Sequence, residues 1–375
     1  MPTLAQNIHG TAQARRQIAI KSLGGQLNAS DPHSAASRLA KLAVVPGRPM
    51  LVSSDIDGLV SASMLASVTP DWKIVAFVAQ SQRIVVHPNY ADRRPANIFG
   101  IDVFSPQFDN VSNHVVLYGS RRLKIQEVLL AFQDWDTEVL RAAGGHLLAV
   151  PALWAMTEAS YEGSERATSA KYKYPFGTAQ ILLALLEAGG LPPRFYDRNF
   201  LPWLVANCDG GVSTYTEHAY NAEIWWSTLA GAVGPASLTE QIYSRVSQMR
   251  PHDFINAVNR LDRERNPALT AWLDDKWNLV DESRTTIERT LQWIDEITGW
   301  GDPVLDGLAN IHNWTEIPIS PQNMGAVYLS GDRSKDTKAN PTAADASIRA
   351  AFNAVNANFY FGGFSGSRFN WVGGW

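Results

Sequence analysis

The sequence has one cysteine, Cys208, among its 375 residues. A single cysteine excludes an intramolecular disulfide and any zinc site built from several thiolates, and it is typical of a reducing compartment. No run approaches the ~18 consecutive apolar residues of a membrane-spanning helix. We therefore expect a cytoplasmic protein that has no membrane partner.

Charged residues are also scarce, at 18% of the chain, and the formal net charge is −4. This slightly acidic balance excludes a histone-like binder and argues against long duplex DNA as the main partner. Hydrophobic residues make up 45%, which excludes a wholly disordered chain and is enough for a large folded core.

Short apolar runs alternate with turn residues and helical stretches between residues 46 and 150, as they do in α/β proteins. The predicted strands are residues 49–53, 73–78, 97–104, 114–118 and 146–151. The predicted helices cover residues 59–67, 124–143 and 178–188. This order predicts an α/β fold in which a mainly parallel sheet is flanked by helices.

Changes of composition along the chain predict four parts. An N-terminal helical arm is expected over residues 1–45, and the α/β domain over 46–225. Residues 226–302 are polar and charged, which predicts a helical connector. Residues 303–375 return to short β-type runs, so we predict a smaller C-terminal α+β domain that binds substrate across a cleft.

Four aspartates directly follow apolar runs. Asp55 and Asp57 come after the first predicted strand, and Gly58 after them allows a sharp turn. Asp102 ends another strand, and Asp209 follows a further apolar run. Because parallel strands end at one edge of a sheet, we expect these carboxylates to converge and to bind Mn²⁺ or Mg²⁺. The alternative, in which each is a helix cap or turn residue, stays open.

Several motifs occur in a characteristic order. They are Ser53-Ser54-Asp55-Ile56-Asp57-Gly58, Phe99-Gly100-Ile101-Asp102-Val103, Phe176-Gly177-Thr178-Ala179-Gln180 and Asn207-Cys208-Asp209-Gly210. This set resembles the DHH phosphoesterase superfamily, which includes RecJ exonucleases, oligoribonucleases and cyclic dinucleotide phosphodiesterases. The resemblance implies a metal-dependent phosphoesterase or exonuclease in which Asp57 is catalytic. The implied partner is a nucleotide or short single-stranded nucleic acid, and assembly into a homo-oligomer or a protein complex stays open.

The Asp-His-His triplet that names the family is absent from the sequence. If the strand is placed at residues 114–118, the position of the triplet reads Tyr118-Gly119-Ser120, which is the register that we prefer. An alternative register uses Asn113-His114 instead, but this puts the histidine before the strand. In the preferred register Arg121 and Arg122 follow the strand, and we expect one of them to supply positive charge at the phosphoryl group. The alternative, in which both are surface cations at a helix start, stays open.

The C-terminal stretch at residues 361–368 is rich in glycine and resembles a divergent form of the family's C-terminal signature. Its Ser365 and Arg368 are the candidate substrate-binding residues, since a hydroxyl and a guanidinium both bind phosphate. A plain glycine-aromatic β-edge is the alternative interpretation.

Two other functions stay open. Loss of the triplet favours a catalytically degenerate protein of the same fold, which binds nucleotides or serves as a subunit of a complex. The strand followed by Asp-Ile-Asp-Gly also resembles haloacid dehalogenase-type phosphatases. In these Asp55 would take the phosphoryl group, Asp57 would act as acid and base, and Asp274-Asp275 would be the downstream acidic pair.

Overall fold

The structure is a computed structural model that describes residues 23–79, 83–113, 139–151, 177–195, 204–206, 208, 219–250, 252–253, 256, 272–274, 278–318, 324–328, 359–365, 368–373 and 375. Its helices are α1 (Ala35–Ala43), α2 (Ile56–Ala66), α3 (Thr178–Ala188), α4 (Ala219–Val233), α5 (Leu238–Val246) and α6 (Arg284–Thr298). Its strands are β1 (Pro49–Ser53), β2 (Lys73–Ala79), β3 (Arg83–Val86), β4 (Phe99–Ile101), β5 (Asn110–Val111), β6 (Leu148–Ala149), β7 (Thr315–Pro318), β8 (Met324–Tyr328), β9 (Phe359–Ser365) and β10 (Arg368–Gly373).

A seven-stranded sheet organises most of these elements, in the order β6-β5-β4-β1-β2-β3-β7. The strands from β6 to β2 are parallel, whereas β3 is antiparallel to β2 and β7 is antiparallel to β3. The prediction of a mainly parallel α/β sheet is therefore confirmed. Strand order reverses at β1, because β2 lies on one side of it and β4 on the other. Open α/β sheets have their ligand-binding crevice at such a switch point, outside the carboxyl ends of the strands.

The central strand β1 is buried on both faces of the sheet. Met50 and Val52 join a core formed with the helices, while Leu51 joins a second core on the opposite face. Parallel strands that are covered on both faces have continuous apolar sequences, which is why this strand is visible as a single apolar run.

Two helices beside β1 are buried over nearly their whole length. Every residue of α2 from Ile56 to Leu65 is buried, and so is every residue of α3 from Thr178 to Leu186. The cause is that α2 packs on β1, α3 and α6, while α3 also contacts α1, α4 and α5. None of the described helices is long and apolar enough to cross a membrane.

The sheet continues past the predicted domain boundary at residue 302. β7 pairs with β3 along the edge of the sheet, and Trp314 stacks on Phe77 with ring centroids 5.6 Å apart. Helix α6, from the predicted connector, adds Leu291 and Ile294 to the core. Residues 284–318 therefore belong to the α/β body. The three-stranded antiparallel sheet β8-β10-β9 is the part that falls wholly within the predicted C-terminal domain.

Candidate functional site

The first aspartate in the turn after β1 caps a helix. Asp55 is the N-cap of α2, and its Oδ1 accepts a hydrogen bond from Gly58 N at 2.9 Å. A Cβ at Gly58 would lie 2.2 Å from Ser53 O, which no side chain tolerates. Glycine is therefore required here, because the first turn of α2 packs directly on the end of β1. The cap alternative is confirmed for Asp55, and its role as a metal ligand stays a prediction.

Asp57 is fully buried and binds the N-terminus of α3. Its Oδ2 accepts a hydrogen bond from Thr178 N at 2.6 Å, and its Oδ1 accepts one from Ala179 N at 2.8 Å. The first N–H groups of a helix have no acceptor within the helix and carry partial positive charge, so they stabilise a carboxylate. Asp57 thus joins the first turn of α2 to the first turn of α3.

The side chain of Thr178 connects this contact to two further strands. Its hydroxyl donates to Asp102 Oδ1 at 2.6 Å and accepts a hydrogen bond from Asn113 N at 2.8 Å. Asp102 follows β4 with a φ of 55°, a left-handed conformation that turns the chain sharply at the strand end. Asp57 and Asp102, the carboxylates expected to converge, are therefore brought together by one buried threonine.

The segment that precedes Asp209 also lies beside Asp57 and the start of α3. A Cβ added to Gly177 would lie 2.8 Å from Asp57 Oδ2 and 2.9 Å from Cys208 O, so only glycine fits between the two. Gln180 Nε2 donates to the carbonyls of Val205 and Ala206 at 3.0 and 3.2 Å, which fixes the segment that leads to Cys208. Asp209 is the next residue in the sequence, and it lies outside the described residues.

The strand next to β4 differs from the one predicted there. Residues 114–118, where that strand is predicted, are not among those that the structure describes. The strand between β4 and β6 is Asn110–Val111, four residues earlier. In the sequence, Asn113-His114 therefore come after this short strand, and the register of residues 114–118 stays a prediction. Because this strand begins with the polar Asn110, the sequence has no apolar run that indicates it. The buried amide of Asn110 donates to the carbonyls of Ser105 and Phe108.

The remaining predicted site residues come from other parts of the chain. Arg121 lies outside the part of the chain that the structure describes. Ser365 and Arg368 are register partners across β9 and β10 of the three-stranded sheet. Asp274, from the acidic pair expected of a dehalogenase-type phosphatase, binds the backbone and side-chain nitrogens of Asn278 at 2.8 and 3.0 Å.

Sequence reasoning missed one carboxylate at this edge of the sheet. Glu282 Oε1 accepts a hydrogen bond from Ser54 Oγ at 2.9 Å, directly before Asp55 in the chain. The two residues are 228 positions apart, and no pattern near either of them indicates the contact.

Within the described ranges, no group of three His, Cys, Asp or Glu side chains is arranged to hold a metal ion. No protein-family model, curated protein or solved structure matches the chain. Its function must therefore be inferred from the residues and the geometry of this site.

Proposed function

We propose that this chain is a divergent metal-dependent phosphoesterase, similar to the DHH superfamily, that hydrolyses a phosphodiester of a short oligonucleotide or nucleotide. The observation that carries the proposal is the hydrogen-bonded group Asp57–Thr178–Asp102. Asp57 follows β1 and Asp102 follows β4, the two strands that flank the switch point of the sheet. Ligands of open α/β sheets bind in this crevice, which supports a role for the two carboxylates in binding a substrate phosphate through a metal ion.

The four sequence motifs that resemble those of the DHH superfamily all contribute residues to this part of the protein. The first supplies Asp57, the second supplies Asp102 and the third supplies Thr178. The fourth contributes Cys208, whose carbonyl flanks Gly177. Isolated caps and turn residues would be scattered over the sheet, whereas convergence of an ordered set of motifs on one point supports a shared active site.

Mn²⁺ or Mg²⁺ is the proposed cofactor, and the donor chemistry fits such an ion. Asp57 and Asp102 are buried carboxylates that both bind Thr178, the first through its backbone N–H and the second through its hydroxyl. Oxygen donors are those that both ions prefer. Asp57, Asp102 and Asp209 would hold the ion together with the partly exposed Asp55. A bound ion there supplies a Lewis acid that polarises a phosphoryl oxygen and acidifies a bound water.

The protein's own groups would orient the reactants and exclude water. The N–H groups of Thr178 and Ala179 fix both oxygens of Asp57, so this carboxylate keeps one orientation. Burial of the site lowers the local dielectric and strengthens its electrostatic interactions. We assign charge compensation at the phosphoryl group to Arg121, and contacts with the rest of the substrate to Ser365 and Arg368.

A retained fold without catalysis is the second candidate, and one observation favours it. Both oxygens of Asp57 accept hydrogen bonds from α3, so this carboxylate has a structural task that needs no metal. In that case the protein would bind a nucleotide, or serve as a subunit of a complex, without turning substrate over.

A hydrolysis panel separates the two candidates. Labelled dinucleotides, short RNA and DNA oligomers and cyclic dinucleotides are incubated with Mn²⁺ and wild type, Asp102→Asn or Asp209→Asn. Asparagine at 102 still accepts the Thr178 hydrogen bond. Asp274→Asn is the control, since Asp274 binds Asn278 and follows neither β1 nor β4. We expect Mn²⁺-dependent cleavage that falls about a hundredfold in the two site variants and persists in the control.

Two results would contradict the phosphoesterase proposal. Folded wild type that cleaves no member of the panel favours the binding role, which equilibrium binding of the same compounds then tests. Full activity in Asp102→Asn would remove the Asp57–Thr178–Asp102 group from the chemistry.

A further inference from the structure

The contact between Ser54 and Glu282 links the β1–α2 turn to the segment before α6. Ser54 is fully buried and lies between the last residue of β1 and Asp55, the cap of α2. Its backbone N–H donates to Val78 O at 3.0 Å, and its hydroxyl donates to Glu282 Oε1 at 2.9 Å. The residue that starts the turn is thus fixed by one neighbouring strand and by one side chain from a distant part of the sequence.

The segment that carries Glu282 is itself held in place by the start of α6. Asp281 Oδ1 accepts hydrogen bonds from Ser283 N at 2.8 Å and from Thr286 Oγ1 at 2.7 Å. Ser283 is the N-cap of α6 and accepts a hydrogen bond from Thr286 N at 3.2 Å. Because the residues on both sides of Glu282 are bonded, its backbone has a defined position.

A second support comes from the strand next to β2. Arg83, the first residue of β3, donates to Glu282 O at 3.0 Å and contacts Glu316 of β7 at 3.3 Å. β3 runs antiparallel to β2, so its first residue lies at the edge where β1 and β2 end. Glu282 is therefore held at the carboxyl edge of the sheet through its backbone as well as its side chain.

We infer that Glu282 is a positioning residue of the proposed phosphoesterase site: through Ser54 it fixes the turn that carries Asp55 and Asp57. This inference rests on the proposed function. Its physical basis is that α3 holds the turn at Asp57, while Val78 O and the Glu282 side chain hold it at Ser54. Loss of the Glu282 acceptor removes one of the two supports at Ser54, and small displacements of catalytic groups reduce rates strongly.

The test compares Glu282→Ala with Glu282→Gln, using Glu288→Ala in the following helix α6 as the control. The glutamine amide oxygen still accepts a hydrogen bond from Ser54, whereas alanine offers no acceptor. We expect Glu282→Ala to lower kcat about tenfold with little change in KM, and Glu282→Gln to retain activity. Hydrogen exchange at the Gly58 amide, which donates to Asp55 Oδ1, should accelerate in Glu282→Ala only.

Each contrary result is specific. Unchanged Gly58 exchange in Glu282→Ala would overturn the positioning role. Equal loss of kcat in Glu282→Gln and Glu282→Ala would also overturn it, because the charge rather than the acceptor would then matter. If wild type cleaves no substrate, the phosphoesterase proposal fails, while the Gly58 exchange rates of the variants still decide the role of Glu282.

Discussion

The two edges of the parallel sheet hold buried carboxylates by different means. At the amino edge, Asp109 precedes β5 and forms an ion pair with the guanidinium of Arg48. At the carboxyl edge, Asp57 and Asp102 accept hydrogen bonds from amide and hydroxyl groups of Thr178 and Ala179. A guanidinium neutralises a carboxylate, whereas these donors orient it without cancelling its formal charge.

Arg48 makes several further contacts at the amino edge of the sheet. Its guanidinium carbon lies 5.5 Å from the ring centroid of Trp72 and 5.3 Å from that of Phe99. Its Nε also donates to Asn97 O at 2.8 Å. The charge, both ring contacts and the hydrogen bond of Arg48 are therefore directed to groups within the protein.

The largest expected effect tests the amino edge. Arg48→Met should destabilise the protein by about 3 kcal/mol, because removing one partner of a buried ion pair leaves Asp109 without its counter-charge. Urea denaturation of wild type and variant measures the free energy of unfolding. Arg250→Met is the control, since the pair of Arg250 with Asp253 is largely exposed.

A second substitution makes that test decisive. Adding Asp109→Asn to Arg48→Met removes the uncompensated charge, so the double variant should regain part of the lost stability. If Arg48→Met costs no more than Arg250→Met, the amino edge does not depend on the ion pair and the contrast between the edges fails.

A smaller effect is expected at the carboxyl edge. Thr178→Val keeps the shape of the side chain but removes the hydroxyl that serves Asp102 and Asn113. Loss of a buried hydrogen-bonding partner costs about 1–3 kcal/mol, which thermal and urea denaturation both detect. Thr178→Ser retains the hydroxyl and is the control. Equal stability of the serine and valine variants would show that the hydroxyl does not connect these strands.

Local sequence signals predict the elements around the site well. β1 and α3 agree with their predictions residue for residue, because both are continuous apolar segments bounded by turn residues or glycine. The convergence of Asp57 with Asp102 is also predicted, since it follows from the general geometry of parallel strand ends. These features depend on short segments and on one topological rule.

Contacts between distant segments are what the sequence does not reveal. β5 is only two residues long and begins with Asn110, so it has no apolar run to indicate a strand. The roles of Thr178 and Glu282 depend on partners far away in the chain. The same holds for β7, whose pairing with β3 brings residues beyond 302 into the sheet. A single sequence contains no local pattern for such pairings.

The smallest expected effect is on the pH dependence of the protein's stability, and it concerns Asp281 beside Glu282. Hydrogen bonds from Ser283 and Thr286 lower the pKa of Asp281 below its ordinary value. A depressed pKa in the folded state means that the ionised carboxylate stabilises the protein above the unfolded pKa of about 3.9. This contribution is lost as the pH falls through the folded pKa.

Asp281→Asn should therefore lower the melting temperature slightly at pH 6. It should have less effect at pH 3, which lies below the unfolded pKa, so that part of the contribution of the carboxylate is already lost there. Thr286→Val, which removes one of the donors to Asp281, should make the melting temperature depend less on pH than in wild type. Thermal denaturation of wild type, Asp281→Asn and Thr286→Val at pH 3 and pH 6 measures these melting temperatures. If Asp281→Asn lowers the melting temperature equally at pH 3 and pH 6, the charge of Asp281 does not contribute to stability.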